Sequence, residues 1–273
     1  MVAPIPAMAA AAAVTSVLRL GTQVINPAFR PLGALAQELA AVDIISAGRL
    51  EVGVGAGYAG REVTSLGLPF PGAADRVRDV ARILDVLPRL FAGEVIKEEE
   101  RPGGPSSGRL NDFQLEPAPP QGASVPLMVG GNGDRLLASA AQRANIIQFV
   151  GFTPGADGND YGSFSGEGLA DRIAHVRRAA GDRFPDIELS VLVQSAGIVP
   201  DPVDAVAGLR SVGSGALTTD EVLHSPFVQL GSSVQEVCDG ITALAERHGI
   251  TYITVFDGRS DGFDSVVARF SNC

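Results

Sequence analysis

Apolar residues in this chain fall into short runs at two different periods, and the two kinds of run take turns. Six runs are rich in valine, leucine and isoleucine: 17–25, 49–54, 126–129, 146–150, 188–194 and 251–256. Each has the length and composition of a strand. Between them the apolar positions recur at helical spacing, over 7–16, 32–45, 74–91, 134–143 and 169–180, and again from Ser232/Ser233 to Arg247. Ser233 stands at capping-box spacing from Glu236, and Gly249 supplies the stop. A helix over 263–270 closes the chain. Strand and helix alternate without hairpin signals, which predicts parallel β/α units around Leu20, Val52, Met128, Ile147, Leu192 and Ile253. A closed (β/α)8 barrel needs eight strands. Six leave two architectures open: a doubly wound open sheet, or a barrel lacking two strands.

Two excursions break this rhythm within what reads as a single domain, 1–273. The first lies near 93–125 and is densest in Pro, Gly and Ser over 98–123, with a small strand expected at 113–115. Its acidic run, Glu98-Glu99-Glu100, reads as a solvated face. The second, near 196–230, is weakly periodic, contains Gly213-Ser214-Gly215, and reads as mobile and partly helical. Residues 151–166 read as a polar, glycine-rich loop.

Composition narrows the class. Hydrophobic residues make up 45% and aromatic ones only 5%, so the core is built of Ala, Val, Leu and Ile. The formal net charge of −10 disfavours nucleic acid or an anionic membrane as partner. No apolar run reaches the length of a membrane span. Residues 1–13 are apolar, but they lack a positively charged start and are interrupted by Pro4 and Pro6; they read as the opening of a helix rather than a signal peptide. The two cysteines, Cys238 and Cys273, form no disulfide framework or metal spacing, which suits a reducing cytoplasm. Lys97 is the only lysine.

Candidate chemistry sits where strands break into glycine. The stretch Gly48 to Tyr58 runs from Leu50, Val52 and Val54 into Gly55-Ala56-Gly57-Tyr58, and Pro126 to Val129 runs into Gly130-Gly131-Asn132-Gly133 before a helix. Glycine lets a flat or anionic ligand approach the main chain. The first N–H groups of a following helix point at that ligand. Two such ends suggest a cofactor on the C-terminal face of a parallel sheet or barrel.

The residues that carry a family resemblance are Leu20-Gly21-Thr22-Gln23-Val24, the run from Ala40 through Asp43 and Ser46-Ala47-Gly48-Arg49 to Gly57, Met128-Val129-Gly130-Gly131, and the tail Gly249 to Phe256. They resemble the luciferase-like monooxygenase family, the tail fitting its F420-dependent oxidoreductases. The resemblance covers nearly the whole chain from Pro4. It implies an α/β fold of the (β/α)8 TIM-barrel type in which 17–25 is the third strand and 251–256 the eighth. The family's first strand, first helix and second strand then have no counterpart, because such a unit needs about 30 residues or more. The expectation is an N-terminally shortened member, by a misplaced start or a truncated gene, without the Asp-His pair that the second strand commonly carries beside the cofactor ring. Runs 17–25 and 251–256 would then be unpaired edges that invite association.

The resemblance further implies an oxidoreductase that passes a hydride between coenzyme F420 and a small organic substrate, or uses reduced flavin with oxygen, FMN being the alternative cofactor. It implies a cytoplasmic homodimer. Gln23-Val24 matches a non-prolyl cis peptide that backs the ring; the plain alternative is a buried strand end. Gly55, Ala56, Gly57 and Tyr58 would lie against or cover the ring; otherwise the loop is a packing turn. Gly130, Gly131, Asn132 and Gly133 would take a phosphate, with Arg135 adding a charge; otherwise they are a strand–helix joint. Asp43 and Arg49 read as structural. Of the histidines, His175 reads as exposed, His248 as a cation suiting a helix C-terminus, and His224 as the one near the catalytic face. The alternative from another class is an incomplete, inactive barrel that serves as an interaction protein.

Overall fold

The computed structural model describes residues 3–99, 108–155, 158–210, 217–256 and 262–271. The chain divides into two units, Met1–Gly130 with Gln142–Ile146, and Gly131–Ala141 with Ile147–Cys273.

In the first unit, helix α1 (Pro4–Val14) begins with proline at its first turn, where no N–H is needed, and buries Ile5, Met8 and Ala12. Strand β1 is only Leu20–Gly21. Pairing breaks over Thr22 to Val24, where the Gln23–Val24 peptide is cis, and resumes as a bridge from Ile25 to Val54. Helix α2 (Leu32–Ile45) buries Leu32, Leu35, Ala36, Leu39, Ala40 and Val42, the expected stripe. It stops at Ser46, and Ala47 and Gly48 both take positive φ. Strand β2 (Leu50–Val54) is buried at every position and pairs in parallel with β1 and with β3 (Leu127–Gly130). Helix α3 (Gly60–Thr64) is short, and α4 (Ala73–Phe91) lays Val80, Ile83, Leu84, Leu87 and Leu90 into the core.

Two polar ties lock this unit. The Arg49 guanidinium donates to the carbonyls of Ala12, Thr15, Leu18 and Ser46 at 2.6–3.0 Å and to the Thr15 hydroxyl at 3.0 Å, closing the end of α1. The fully buried Asp43 carboxylate accepts from the Gln121 backbone N–H at 3.0 Å and from its side-chain amide at 2.7 Å. Both residues are structural, as their positions suggest.

The acidic run is a partial correction. Glu98 is not simply solvated: Arg82 grips its carboxylate with Nε at 2.6 Å and Nη2 at 2.5 Å, and the Leu110 N–H adds a bond of 2.8 Å. Glu99 is exposed, and Glu100 lies outside the described residues. The expected strand at 113–115 is one antiparallel bridge, Ile96 to Phe113. Beside it Lys97 meets Asp112 at 3.2 Å, both side chains well exposed.

The second unit contains α5 (Asp134–Ala141), all but the first residue of β4 (Ile146–Phe149), β5 (Thr153–Gly155), β6 (Gly158–Asp160), α6 (Gly166–Ala180), β7 (Glu188–Val193), β8 (Ser195–Ile198), α7 (Pro202–Arg210), α8 (Thr219–Leu223), β9 (Val228–Gly231), α9 (Val234–His248), β10 (Ile250–Val255) and α10 (Phe263–Ser271). β7 and β10 pair in parallel. Buried Gln148 of β4 donates to Ser190 of β7 at 3.2 Å and Thr254 of β10 at 3.0 Å. Ser233 caps α9 by accepting from Glu236 N–H, the Glu236 carboxylate takes the Ser232 N–H, and Gly249 closes the helix at φ 68°. Six strands run in the order β1-β2-β3-β4-β7-β10. This is the α/β, parallel, partial (β/α)8 type, with strands at all six expected places.

Two expectations need additions here. The 151–166 loop holds an antiparallel hairpin, β5 with β6. The 196–230 excursion is partly helical as expected, through α7 and α8, but it also carries an unexpected parallel pair, β8 with β9. Gly213-Ser214-Gly215 and Cys273 lie outside the described residues.

Thr22 is 5% exposed; its hydroxyl donates to the Gly53 carbonyl at 2.8 Å and accepts from the Gly53 N–H at 3.0 Å. It replaces the ladder where β1 breaks. Thr22→Val orphans the buried Gly53 N–H, whereas the Gly53 carbonyl keeps the Ile25 N–H at 2.8 Å; the change is expected to cost about 1–3 kcal/mol in a urea melt, with Thr22→Ser recovering most of it. A neutral Thr22→Val would refute this bridging role. Glu98 gives a pH prediction. Burial pushes its carboxyl up, but the bonds from Arg82 and Leu110 and the charges of Arg82 and Arg109 outweigh this and hold it below the usual glutamate value. Its contribution is complete above about pH 4.3 and is lost as pH falls through the lower folded value. Glu98→Gln is therefore expected to lower the melting temperature at pH 6 and to narrow its distance from the parent protein near about pH 3.

Candidate functional site

The expected residues fall on both units: Gln23, Val24, Gly55, Ala56, Gly57, Tyr58 and Gly130 on the first, Gly131, Asn132 and Gly133 on the second.

In the first unit, the chain at 22–26 lies directly against 53–57. A Cβ on Gly53 would overlap the Thr22 carbonyl, one on Gly55 the Val24 side chain, and one on Gly57 the Asn26 amide. The three contacts keep one register, 22 to 53, 24 to 55 and 26 to 57. Gly57 also holds φ 69°, which favours glycine. Asn26 is fixed in turn by accepting the Ala28 N–H at 3.0 Å. The Gly130 carbonyl closes the other side, 3.2 Å from where a Gly55 Cβ would stand. Gln23, Val24 and Tyr58 are exposed, Tyr58 at 65%.

A residue that sequence reasoning did not select holds this loop. Arg76 of α4 donates from Nε to the Ala56 carbonyl at 3.0 Å and from Nη1 to the Pro71 carbonyl at 2.6 Å, with its guanidinium 4.2 Å from the Phe70 ring centroid. Burial lowers its pKa from the usual arginine value. Nothing in the spacing of α4 marks Arg76 apart from its charged neighbours Asp75, Arg78 and Arg82.

In the second unit, the Gly131 N–H donates to the Gln148 carbonyl at 3.1 Å, and Gly131 takes φ 153° with the Leu136 side chain filling its Cβ position. Asn132 is 2% exposed; its amide donates to the Ser163 hydroxyl at 2.5 Å, and its amide oxygen has no partner among the described residues. Gly133 opens α5, and no atom lies within 4 Å of its Cβ position. A cleft of about 400 Å³ begins here, lined by Asn132, Gly133, Asp134, Ser163 and Arg172 among others. Asp134 is ion-paired to Arg172, and His175 contacts the Asp134 carbonyl at 3.0 Å. Arg135 is exposed and is not among the cleft residues. Arg172 is the cation present, brought by α6 from 38 positions along the chain.

The first-turn N–H groups of α5 have no partner inside the helix and the Gly133 face is open, which suits an acceptor such as a phosphate oxygen. The Asn132 amide oxygen is itself an acceptor and calls for a hydroxyl or N–H beside it, and Asp134, Asp160 and Asp171 set negative charge around the cleft against Arg172 alone among the described residues. Among the described residues, no group of three or more His, Cys, Asp or Glu side chains could hold a metal ion. Exposed His224 binds the Asp220 carbonyl at 2.9 Å. Burial, and then the Arg247 charge, lowers the His248 pKa from the usual histidine value.

The chain has relatives among known proteins. A 28% identical relative over 226 residues, 82% of this chain and 62% of the relative, is an F420-dependent glucose-6-phosphate dehydrogenase of Microbacterium testaceum (strain StLB037). A 31% identical relative over 222 residues, 80% of this chain and 61% of the relative, is the protein of that name from Beutenbergia cavernae. The chain thus spans less than two thirds of either relative's length. An F420-dependent secondary alcohol dehydrogenase, solved with an F420-acetone adduct, superposes with a TM-score of 0.72 at 18% identity, over 95% of this chain and 78% of that one. Residues 2–207 match the luciferase-like monooxygenase family model, so the chain belongs to that family.

Proposed function

We propose that this protein is an oxidoreductase that binds coenzyme F420 and passes a hydride between it and a small organic substrate. The observation that carries the reading is the open turn at Gly133, at the head of α5 and beside the buried amide of Asn132. The relatives support F420 over FMN, since both are F420-dependent by name. They are also enzymes, which supports catalysis over a purely structural role. The reading carries with it a homodimer in the cytoplasm; no described helix is long and apolar enough to cross a membrane.

The cofactor supplies the hydride chemistry when bound. The chain's part is to hold and orient. Gln23, Val24 and Gly55 to Tyr58 back a flat ring with main chain, and Arg76 fixes the Ala56 carbonyl so that this surface keeps its shape. Gly130 ends β3 beside Gly55 and keeps that position free of side chain. In the second unit, Gly133 and the first turn of α5 would offer N–H groups to a phosphate, and the Asn132 amide oxygen would accept from a hydroxyl. Gly131 shapes the turn but does not donate to the ligand, because its N–H is committed to Gln148.

Titration of the purified protein is expected to show F420 binding more tightly than FMN; tight FMN binding without F420 binding would reverse the assignment. Gly133 is the position to perturb, since a side chain at Gly131 meets Leu136 and a strained φ, whereas Gly133 has open space. Gly133→Asp is expected to leave the melting temperature unchanged and to weaken F420 by about tenfold or more, a carboxylate facing the phosphate at close range. Unchanged affinity in the folded variant would remove the phosphate from this turn.

A further inference from the structure

Helix α6 carries two different faces. Arg172 and His175 turn toward the head of α5. Ala170, Ile173, Ala174 and Arg177 line a separate groove, at the i, i+3, i+4, i+7 spacing of one helical stripe. Across it, the helical turn Gly181–Asp186 and the entry to β7 bring Phe184, Ile187 and Leu189, and the end of α9 brings Arg247 and His248. The groove holds about 490 Å³, which is within the range of small-molecule sites.

Its floor is apolar and its edges are cationic. Ile173, Ile187 and Leu189 are only 5–7% exposed, and the two alanines of α6 keep the space above them open. The Arg177 guanidinium lies 4.4 Å from the Phe184 ring centroid, a contact that uses its flat face and not its donors. The His248 ring reaches α6, with Nε2 3.9 Å from where a Gly166 Cβ would stand. Elsewhere in this acidic chain, Arg30, Arg82 and Arg143 meet carboxylates. Neither Arg177 nor Arg247 has a carboxylate partner among the described residues, and no described acidic side chain lines the groove. Asp186 and Glu188 flank Ile187 in sequence but point elsewhere than into the lining, and Glu188 accepts from the Thr251 hydroxyl at 3.0 Å.

We propose that this groove is a binding site, separate from both glycine loops, for a small carboxylate with an apolar aryl or acyl body. The body covers the floor of Ile173, Phe184, Ile187 and Leu189, and the carboxylate meets the guanidinium groups of Arg177 and Arg247. Both halves are needed. An exposed arginine holds a bare anion weakly, because water screens the pair, and an apolar body alone leaves the two cations unmatched. The site stands whether or not the α5 turn takes a phosphate.

The chain has three histidines, and they report separately. His248 lines the groove, His175 contacts the Asp134 carbonyl at the α5 cleft, and His224 is exposed on neither. The test follows their ring resonances by NMR in the full chain at fixed pH, titrated with 2-naphthoate and assigned with His248→Gln. His248 is expected to shift and saturate while His175 and His224 stay in place. Uncharged 2-naphthamide is expected to bind about tenfold more weakly, and acetate is expected to leave His248 unmoved at the same concentration. The Arg177→Gln/Arg247→Gln variant, exposed at both positions, is expected to keep its melting temperature and to lose about tenfold in naphthoate affinity. A still His248, or a shift of His175 in its place, overturns the site. Naphthamide equal to naphthoate, acetate equal to naphthoate, or full naphthoate affinity in the folded double variant overturns it as well.

Discussion

The first unit depends on how closely one stretch of chain packs onto the main chain of another, through the Thr22 carbonyl and the Val24 and Asn26 side chains. Residues 22, 24 and 26 face residues 53, 55 and 57, and at each of the three contacts the space that a Cβ would need is taken. Glycine at alternate positions is the sequence consequence of this contact, because alternate residues of an extended chain face the same side. The contact also explains Thr22. Where the ladder between β1 and β2 breaks, buried N–H and C=O groups need other partners, and one hydroxyl serves both groups of Gly53. The glycines therefore fix the loop's shape from within, whatever the loop binds.

Arginine does the remaining joining, and its geometry suits the task. Arg49 reaches four carbonyls and a hydroxyl, Arg76 reaches two carbonyls and an aromatic ring, and Arg82 takes a carboxylate through two of its nitrogens. A planar fork of donors makes such multiple contacts with little further loss of freedom, whereas a lysine ammonium is a single point of charge. Each of these arginines ties a segment without regular structure to a helix or strand. That is where backbone groups otherwise lack partners.

Five of the six strands and the main helices were legible because each has a run long enough to show its period, whereas the expected strand 17–25 shrinks to Leu20–Gly21 in β1. The helix over 32–45 matches α2 residue for residue, since its buried stripe is unbroken. The hairpin of β5 and β6 was not legible. Its strands are three residues each, Thr-Pro-Gly and Gly-Asn-Asp, too short and too polar to alternate. The β8–β9 pair was hidden for another reason, because its register joins residues about thirty apart, such as Ser195 and Val228. The site was half legible. Glycines after strands are visible locally, and the resemblance pointed to Gln23-Val24, but no local pattern announces Arg76 or Arg172. Arg135 was chosen because it is next in sequence, while a helix start selects its neighbours in space. Glu98 illustrates the same limit: within an acidic triplet it looks like its neighbours, and only Arg82 on α4 sets it apart.

The lone lysine gives this architecture an experimental handle. Lys97 is exposed, loosely paired with Asp112, and adjacent in sequence to the glutamate that docks the 93–125 excursion onto α4. Amine-reactive dyes therefore have one side-chain target in the chain, whatever the state of its α-amino group. A fluorophore placed there watches that segment alone. Its release from α4 becomes a local optical signal, separable from unfolding of the sheet.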